Sequence, residues 1–135
     1  MNVFFDVDYT ILGLDGSLRP GTVELFEQLA EDGHNVYIWS GVGVRRGEVK
    51  ALGLEPLVCG VYQKPLSDFV AGLTRYDVPV VPDFVVDDYP SIVQHFGGVC
   101  VKPYMSRRQP DEEFSAIREL VANHGRRLGH LPAAD

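Results

Sequence analysis

The chain has little sulfur, a shortage of basic charge and no long apolar run. Only two cysteines, Cys59 and Cys100, occur among its 135 residues. Two thiols cannot build a disulfide scaffold, and no His/Cys spacing suggests zinc. Each lies in an apolar run and reads as a reduced core thiol. Lysine and arginine number 12 against 19 aspartates and glutamates, a net charge of −7. That balance disfavours nucleic acid and anionic lipid as partners. No stretch approaches the length of a membrane span, and the N-terminus lacks the basic region of a signal peptide. The expected location is therefore cytoplasmic.

What is present is an ordinary globular composition, 45% hydrophobic and 23% charged, long enough for one domain with its own core. Apolar runs alternate with amphipathic stretches. "NVFFDV", "HNVYIWS", "PLVCGVY", "DFVVDD" and "GVCVKPY" read as five strands. "PGTVELFEQLAEDG" reads as a helix with Val23, Phe26, Leu29 and Ala30 on one face, starting at Pro20 or Gly21 and stopping at Gly33. "VRRGEVKALGL", "PLSDFVAGLTRY" and "PSIVQHFG" read as further helices. "DEEFSAIRELVANHG" closes the series, capped by Asp111 and stopped by Gly125. Strands without a polar face, joined by helical crossovers, imply a parallel sheet covered on both sides. The domain spans 1–125, and 126–135 is read as a loose tail. Between the first strand and first helix, Asp15-Gly16 within "TILGLDGSLRP" signals a small β-hairpin standing over the strand ends.

The first apolar run ends in two aspartates, "NVFFDVDYTIL". Residues two apart on a strand share a face, so Asp6 and Asp8 would repel unless a metal or a shared proton compensates. Ligands of open parallel sheets bind beyond the carboxyl ends of the strands. There the five strands deliver Asp6, Asp8 and Thr10, then Ser40 and Gly41, then Lys64, then Asp87 and Asp88, then Lys102. Clustered carboxylates with a hydroxyl and a lysine suit Mg²⁺ and a phosphoryl group.

In these motifs the chain resembles the haloacid dehalogenase (HAD) superfamily of phosphohydrolases. "DVDYT" resembles its first motif, "YIWSG" its second, Lys64 its third and "VVDD" its fourth, in the family's order from Asn2 to about Tyr104. The resemblance implies a three-layer Rossmann-like fold with a sheet of order 5-4-1-2-3. It implies Asp6 as nucleophile, giving an aspartyl-phosphate, and Asp8 as general acid and base. Ser40 and the Gly41 amide would hold phosphate oxygens, Thr10 would orient the first loop, and Lys64 would stabilise developing charge. Asp6, the Asp8 carbonyl and Asp88 would hold Mg²⁺, with Asp87 outer-shell or bridging to Lys64. A helical twist over Val7 to Thr10 would carry Asp8 over the phosphate. The implied activity is phosphomonoester hydrolysis on an unspecified phosphorylated substrate.

Two rivals stand beside it. A receiver-like signalling module would also use Mg²⁺ and a Lys-Pro such as Lys102-Pro103, but it needs an aspartate ending strand three, where "PLVCGVYQK" has no acid. A catalytically silent HAD-like phosphate-binding module would lack a chemical group, and none is missing. The intervals Asp6–Ser40 and Lys64–Asp87 are already filled, leaving no room for a cap domain. The hairpin arms Ile11, Leu12, Leu14 and Leu18 look too apolar to stand bare. They are expected to pack on the protein's own body or, preferably, on a second copy in a homo-oligomer. Arg45 and Arg46 either meet a second anionic group or form a solvated face. Arg107, Arg108, Arg126 and Arg127 read as solubilising charges, Trp39 as core or site rim, and His34 and His95 as surface or helix-end residues.

Overall fold

The computed structural model describes residues 1–129. Strands β1 (Asn2–Asp6), β2 (Asn35–Ser40), β3 (Gly60–Gln63), β4 (Phe84–Asp87) and β5 (Gly98–Cys100) form one open sheet. All neighbours are parallel, in the order β3-β2-β1-β4-β5, the expected 5-4-1-2-3 seen from its other edge. This order sets β1 between β2 and β4. The chain ends of these strands, at Asp6, Ser40 and Asp87, therefore open side by side.

Strand alternation sends side chains to two cores. Val3 and Phe5 pack with Leu25, Phe26 and Leu29 of helix α1 (Thr22–Glu31), with Val49 of α2 (Arg46–Ala51), and with Ile117 and Val121 of α5 (Ile117–Arg127). Phe4, Tyr37, Trp39 and Val85 pack on the opposite face with Leu73 of α3 (Phe69–Arg75) and Ile92 of α4 (Pro90–Phe96). Phe4 and Tyr37 stack with centroids 4.7 Å apart. The result is an α/β, Rossmann-like sandwich with helices on both faces of a parallel sheet. Among the described residues no helix is long and apolar enough to cross a membrane.

Several sequence expectations shift locally. The buried face of α1 is Thr22, Leu25, Phe26 and Leu29; Val23 is half-buried and Ala30 is exposed, because the stripe follows the i, i+3, i+4, i+7 spacing from Thr22. Gly33 does stop α1: at φ 84 it lets its own N–H reach Ala30 and that of His34 reach Leu29, the two closing bonds of a left-handed helix end. His34 is a helix-end residue, as one of its two readings had it, but it is buried rather than superficial, and its Nδ1 lies 3.0 Å from the N-terminal ammonium. The last helix does not start at Asp111. That carboxylate is gripped by Arg19 and also accepts the Glu113 N–H at 3.2 Å, where the segment opens with a 3-10 turn, Glu113–Ala116, before becoming α-helical at Ile117. Nor does it stop at Gly125, which is buried within α5; the left-handed residue beyond its end is Gly129. Of the expected tail, Arg126 and Arg127 are helical, and 130–135 lie outside the described residues. Cys59 and Cys100 are free but exposed, not core thiols. Their runs belong to the two outermost strands, where a neighbour flanks only one side.

Candidate active site at the carboxyl ends of the strands

After Asp6 the chain turns on a single carbonyl. The N–H groups of Thr10, Ile11 and Leu12 all reach the Val7 oxygen, at 3.2, 3.0 and 3.0 Å. Tyr9 takes a left-handed conformation, φ 64, which costs a non-glycine residue roughly 1–2 kcal/mol. Hydrogen bonds to Leu12 and from Tyr104, both 2.8 Å, hold it there. The expected helical twist is thus one tight turn, and it separates the two aspartates. Asp6 points inward and is buried, while Asp8 is carried outward.

Asp6 sits at the centre of a polar cluster. Lys64 Nζ donates to Asp6 Oδ1 at 3.0 Å and to Asp87 Oδ2 at 2.9 Å. Thr10 Oγ1 lies 3.2 Å from Asp6 Oδ2 and 3.4 Å from Asp88 Oδ1. Its single hydroxyl proton can serve only one of them at a time. Asp87 is fully buried, and its Oδ1 accepts the Tyr89 N–H at 3.0 Å. One carboxylate oxygen each from Asp6, Asp87 and Asp88 falls within a 4.8 Å cluster. Of the residues expected around a metal, the three that were to use or support it through their carboxylates, Asp6, Asp87 and Asp88, converge. The Asp8 side chain does not join them; it pairs with Arg45 Nη1 at 2.8 Å.

Arg45 also reaches Glu48 at 3.0 Å and Ser40 Oγ at 3.5 Å. Of the two arginines left open by the sequence, Arg45 therefore belongs to the site and Arg46 is exposed. Ser40 is buried, and its hydroxyl accepts the Val42 N–H at 3.4 Å. A Cβ on Gly41 would come within 2.6 Å of Leu66 Cδ2, so glycine is what lets Leu66 lie over this loop. Lys102 is exposed.

Burial dominates the electrostatics. It pushes Asp6 up to about 7, with Asp87 adding to the rise and Lys64 opposing it. Burial also raises Asp87, against the pull of Lys64. For Lys64, burial alone would favour the neutral amine, but the two carboxylates outweigh it and its pKa stands above the ordinary value. Two carboxylates facing one ammonium leave a surplus negative charge in a dry place. The cluster satisfies this by keeping a proton, or by taking a cation.

The hairpin is reduced to one antiparallel bridge, Leu12 with Leu18, around the Asp15-Gly16 turn. It is tied to its own chain. The Leu14 N–H reaches Met105 O at 2.7 Å, Ser17 Oγ meets the Tyr104 hydroxyl at 2.6 Å, and Asp15 accepts the Arg107 N–H at 3.0 Å. Ile11 is fully buried, and Leu12 and Leu18 pack against the core. Only Leu14 is left exposed. The premise that these arms need a second copy to cover them does not hold.

Sequence reasoning missed Arg19, which is 1% exposed. Its guanidinium grips Asp111 through both carboxylate oxygens at 2.9–3.0 Å, donates to Thr10 O at 3.0 Å and to Lys102 O, and lies over the Tyr104 and Phe114 rings. It staples the first loop, the segment after β5 and the last helical region together beneath the site. An arginine in a turn reads as solvated, and its partner lies 92 positions away.

No protein-family model, curated protein or solved structure matches this chain. The functional reading rests on the site itself.

Proposed function

We propose that this chain is a Mg²⁺-dependent phosphomonoester hydrolase of the haloacid dehalogenase type, acting through an aspartyl-phosphate on Asp6. The observation that carries the reading is the meeting of Asp6, Lys64, Asp87 and Asp88 at the ends of β1, β3 and β4. Residues from three separate motifs meet around the buried Asp6 carboxylate.

The donor set fits magnesium. It is oxygen-only, anionic and small, as a hard divalent cation requires. Asp6 and Asp88 would hold the ion. Asp88 has the freer carboxylate, with one long contact to Thr10, whereas both Asp87 oxygens are engaged by Lys64 and the Tyr89 N–H. Asp87 is then the residue that places Lys64. When bound, the ion supplies charge neutralisation at the carboxylates and the phosphoryl oxygens.

The chain's residues divide the remaining work. Lys64 orients Asp6 Oδ1 and Thr10 orients Oδ2, which fixes the carboxylate for attack. An Asp6 oxygen forms a bond to phosphorus as the ester P–O bond breaks. Ser40 and the loop at Gly41 would receive the phosphoryl oxygens, and Lys64 offsets their charge. Asp8 gives its proton to the leaving oxygen. It then takes a proton from the water that attacks phosphorus, releasing phosphate and restoring Asp6. Arg45, 2.8 Å from Asp8 Oδ2, fixes where the Asp8 side chain stands.

The test is phosphate release from an aryl phosphate with and without Mg²⁺. Hydrolysis that stops on chelation and in Asp6→Ala supports the reading. Activity that survives both contradicts it.

A further inference from the structure

A cleft of about 310 Å³ opens directly beside the cluster. Its inner end is polar, formed by Lys64, Asp87 and Asp88, and its walls are Leu66, Phe69 and Tyr89. Leu66 is 67% exposed and Tyr89 62% exposed, so large apolar area stands uncovered within reach of the site. Phe69 is held in place against His95 and Phe96, with centroids at 5.1 and 6.0 Å. Leu66 also leans over Gly41, so the apolar wall continues into the loop proposed to hold phosphate.

We infer that this cleft receives the leaving group of the substrate, and that the substrate is a phosphomonoester carrying one aromatic ring or a similarly compact apolar body. This rests on the hydrolase reading and narrows it. With Mg²⁺ offsetting the surplus carboxylate charge beside Lys64, the inner end would take an anionic head, and the apolar walls suit an apolar body. The volume lies at the small end of ligand sites, which admits a single ring and little more. Phe69 and Tyr89 offer ring faces and edges for it. A polyhydroxylated leaving group is disfavoured, because its hydroxyls would lose water against Leu66 and Phe69 without gaining partners.

Phosphonates test this without turnover, since methylphosphonate and benzylphosphonate share a head and differ in the body. Their affinities for the Mg²⁺-loaded protein are measured by calorimetry. Burial of a ring should make benzylphosphonate bind about tenfold tighter or better. Tyr89→Ser, at an exposed position that does not threaten folding, should weaken benzylphosphonate several-fold and leave methylphosphonate unchanged. Equal affinity of the two phosphonates, or a variant that weakens both alike, would overturn the cleft assignment while the hydrolase reading stands. Failure of both phosphonates to bind would overturn the hydrolase reading, and this inference with it.

Discussion

Lys64 and Asp6 are 58 positions apart in sequence, and their charged atoms lie 3.0 Å apart in a buried setting. The pair couples the ends of two strands that do not touch, since β2 lies between β3 and β1. Removing the ammonium strands two buried carboxylates. Lys64→Met should therefore destabilise the protein by roughly 3–5 kcal/mol near neutral pH, read by urea denaturation. The loss should shrink at pH 5, where Asp6, raised to about 7, holds its proton. A loss independent of pH would mean that the side chain matters only for packing.

The cation-free protein should carry a distinctive pH dependence. Asp6 is raised from its ordinary value to about 7, and Asp87 is raised as well. A carboxyl raised on folding binds protons more tightly when folded, so its contribution is fully present below about pH 4 and is lost as pH rises through about 7. Thermal melts in chelator should show stability falling from pH 5 to pH 8. Asp6→Asn should flatten this profile. Saturating Mg²⁺ should flatten it too, by stabilising the ionised form. A profile that rises over this interval would contradict the assignment.

Arg19 makes a separate structural claim. Arg19→Met leaves the buried Asp111 carboxylate without its cation, with the Glu113 N–H as its remaining partner, and frees the Thr10 carbonyl, so a loss of roughly 3–5 kcal/mol is expected. Arg19→Lys should recover only part of it, because an ammonium cannot grip both oxygens and both carbonyls at once. Full recovery by lysine, in chemical denaturation, would show that charge alone suffices.

Much of this was legible in the sequence, for identifiable reasons. Val3, Phe4 and Phe5 alternate between two cores, so β1 could only be a strand covered on both sides. Asp6, Ser40, Lys64 and Asp87 stand at strand ends, and strand order brings ends together without any side-chain detail. What could not be seen depends on pairing across distance. Asp111 reads as a helix cap, and it does accept the Glu113 N–H, but nothing local shows that Arg19 also grips it. Asp8 looks like a partner of Asp6 until the turn at Tyr9 swings it to Arg45. Cys59 and Cys100 look like core residues until sheet order makes their strands the edges. Leu12 and Leu18 look unprotected until the hairpin folds back on its own chain.

Asp8 and Asp88 should fail differently. Asp8→Asn keeps the shape but cannot pass a proton, so turnover should fall by roughly 10²–10⁴ and extra Mg²⁺ should not restore it. Asp88→Asn removes an expected ligand, so activity should be partly recovered as Mg²⁺ is raised. Steady-state kinetics across a Mg²⁺ titration distinguish the two. Identical responses would undo the division of roles.

The central claim is that Asp6 carries the phosphoryl group. Asp8→Asn should slow breakdown of the intermediate and let it accumulate on an aryl phosphate, whose leaving group needs little help from an acid. Acid quenching followed by peptide mass spectrometry should then find one added phosphoryl group on the N-terminal peptide, at Asp6, only when Mg²⁺ is present. A phosphoryl group on another residue, or an Asp6→Asn protein that still turns over at the full rate, would contradict the account.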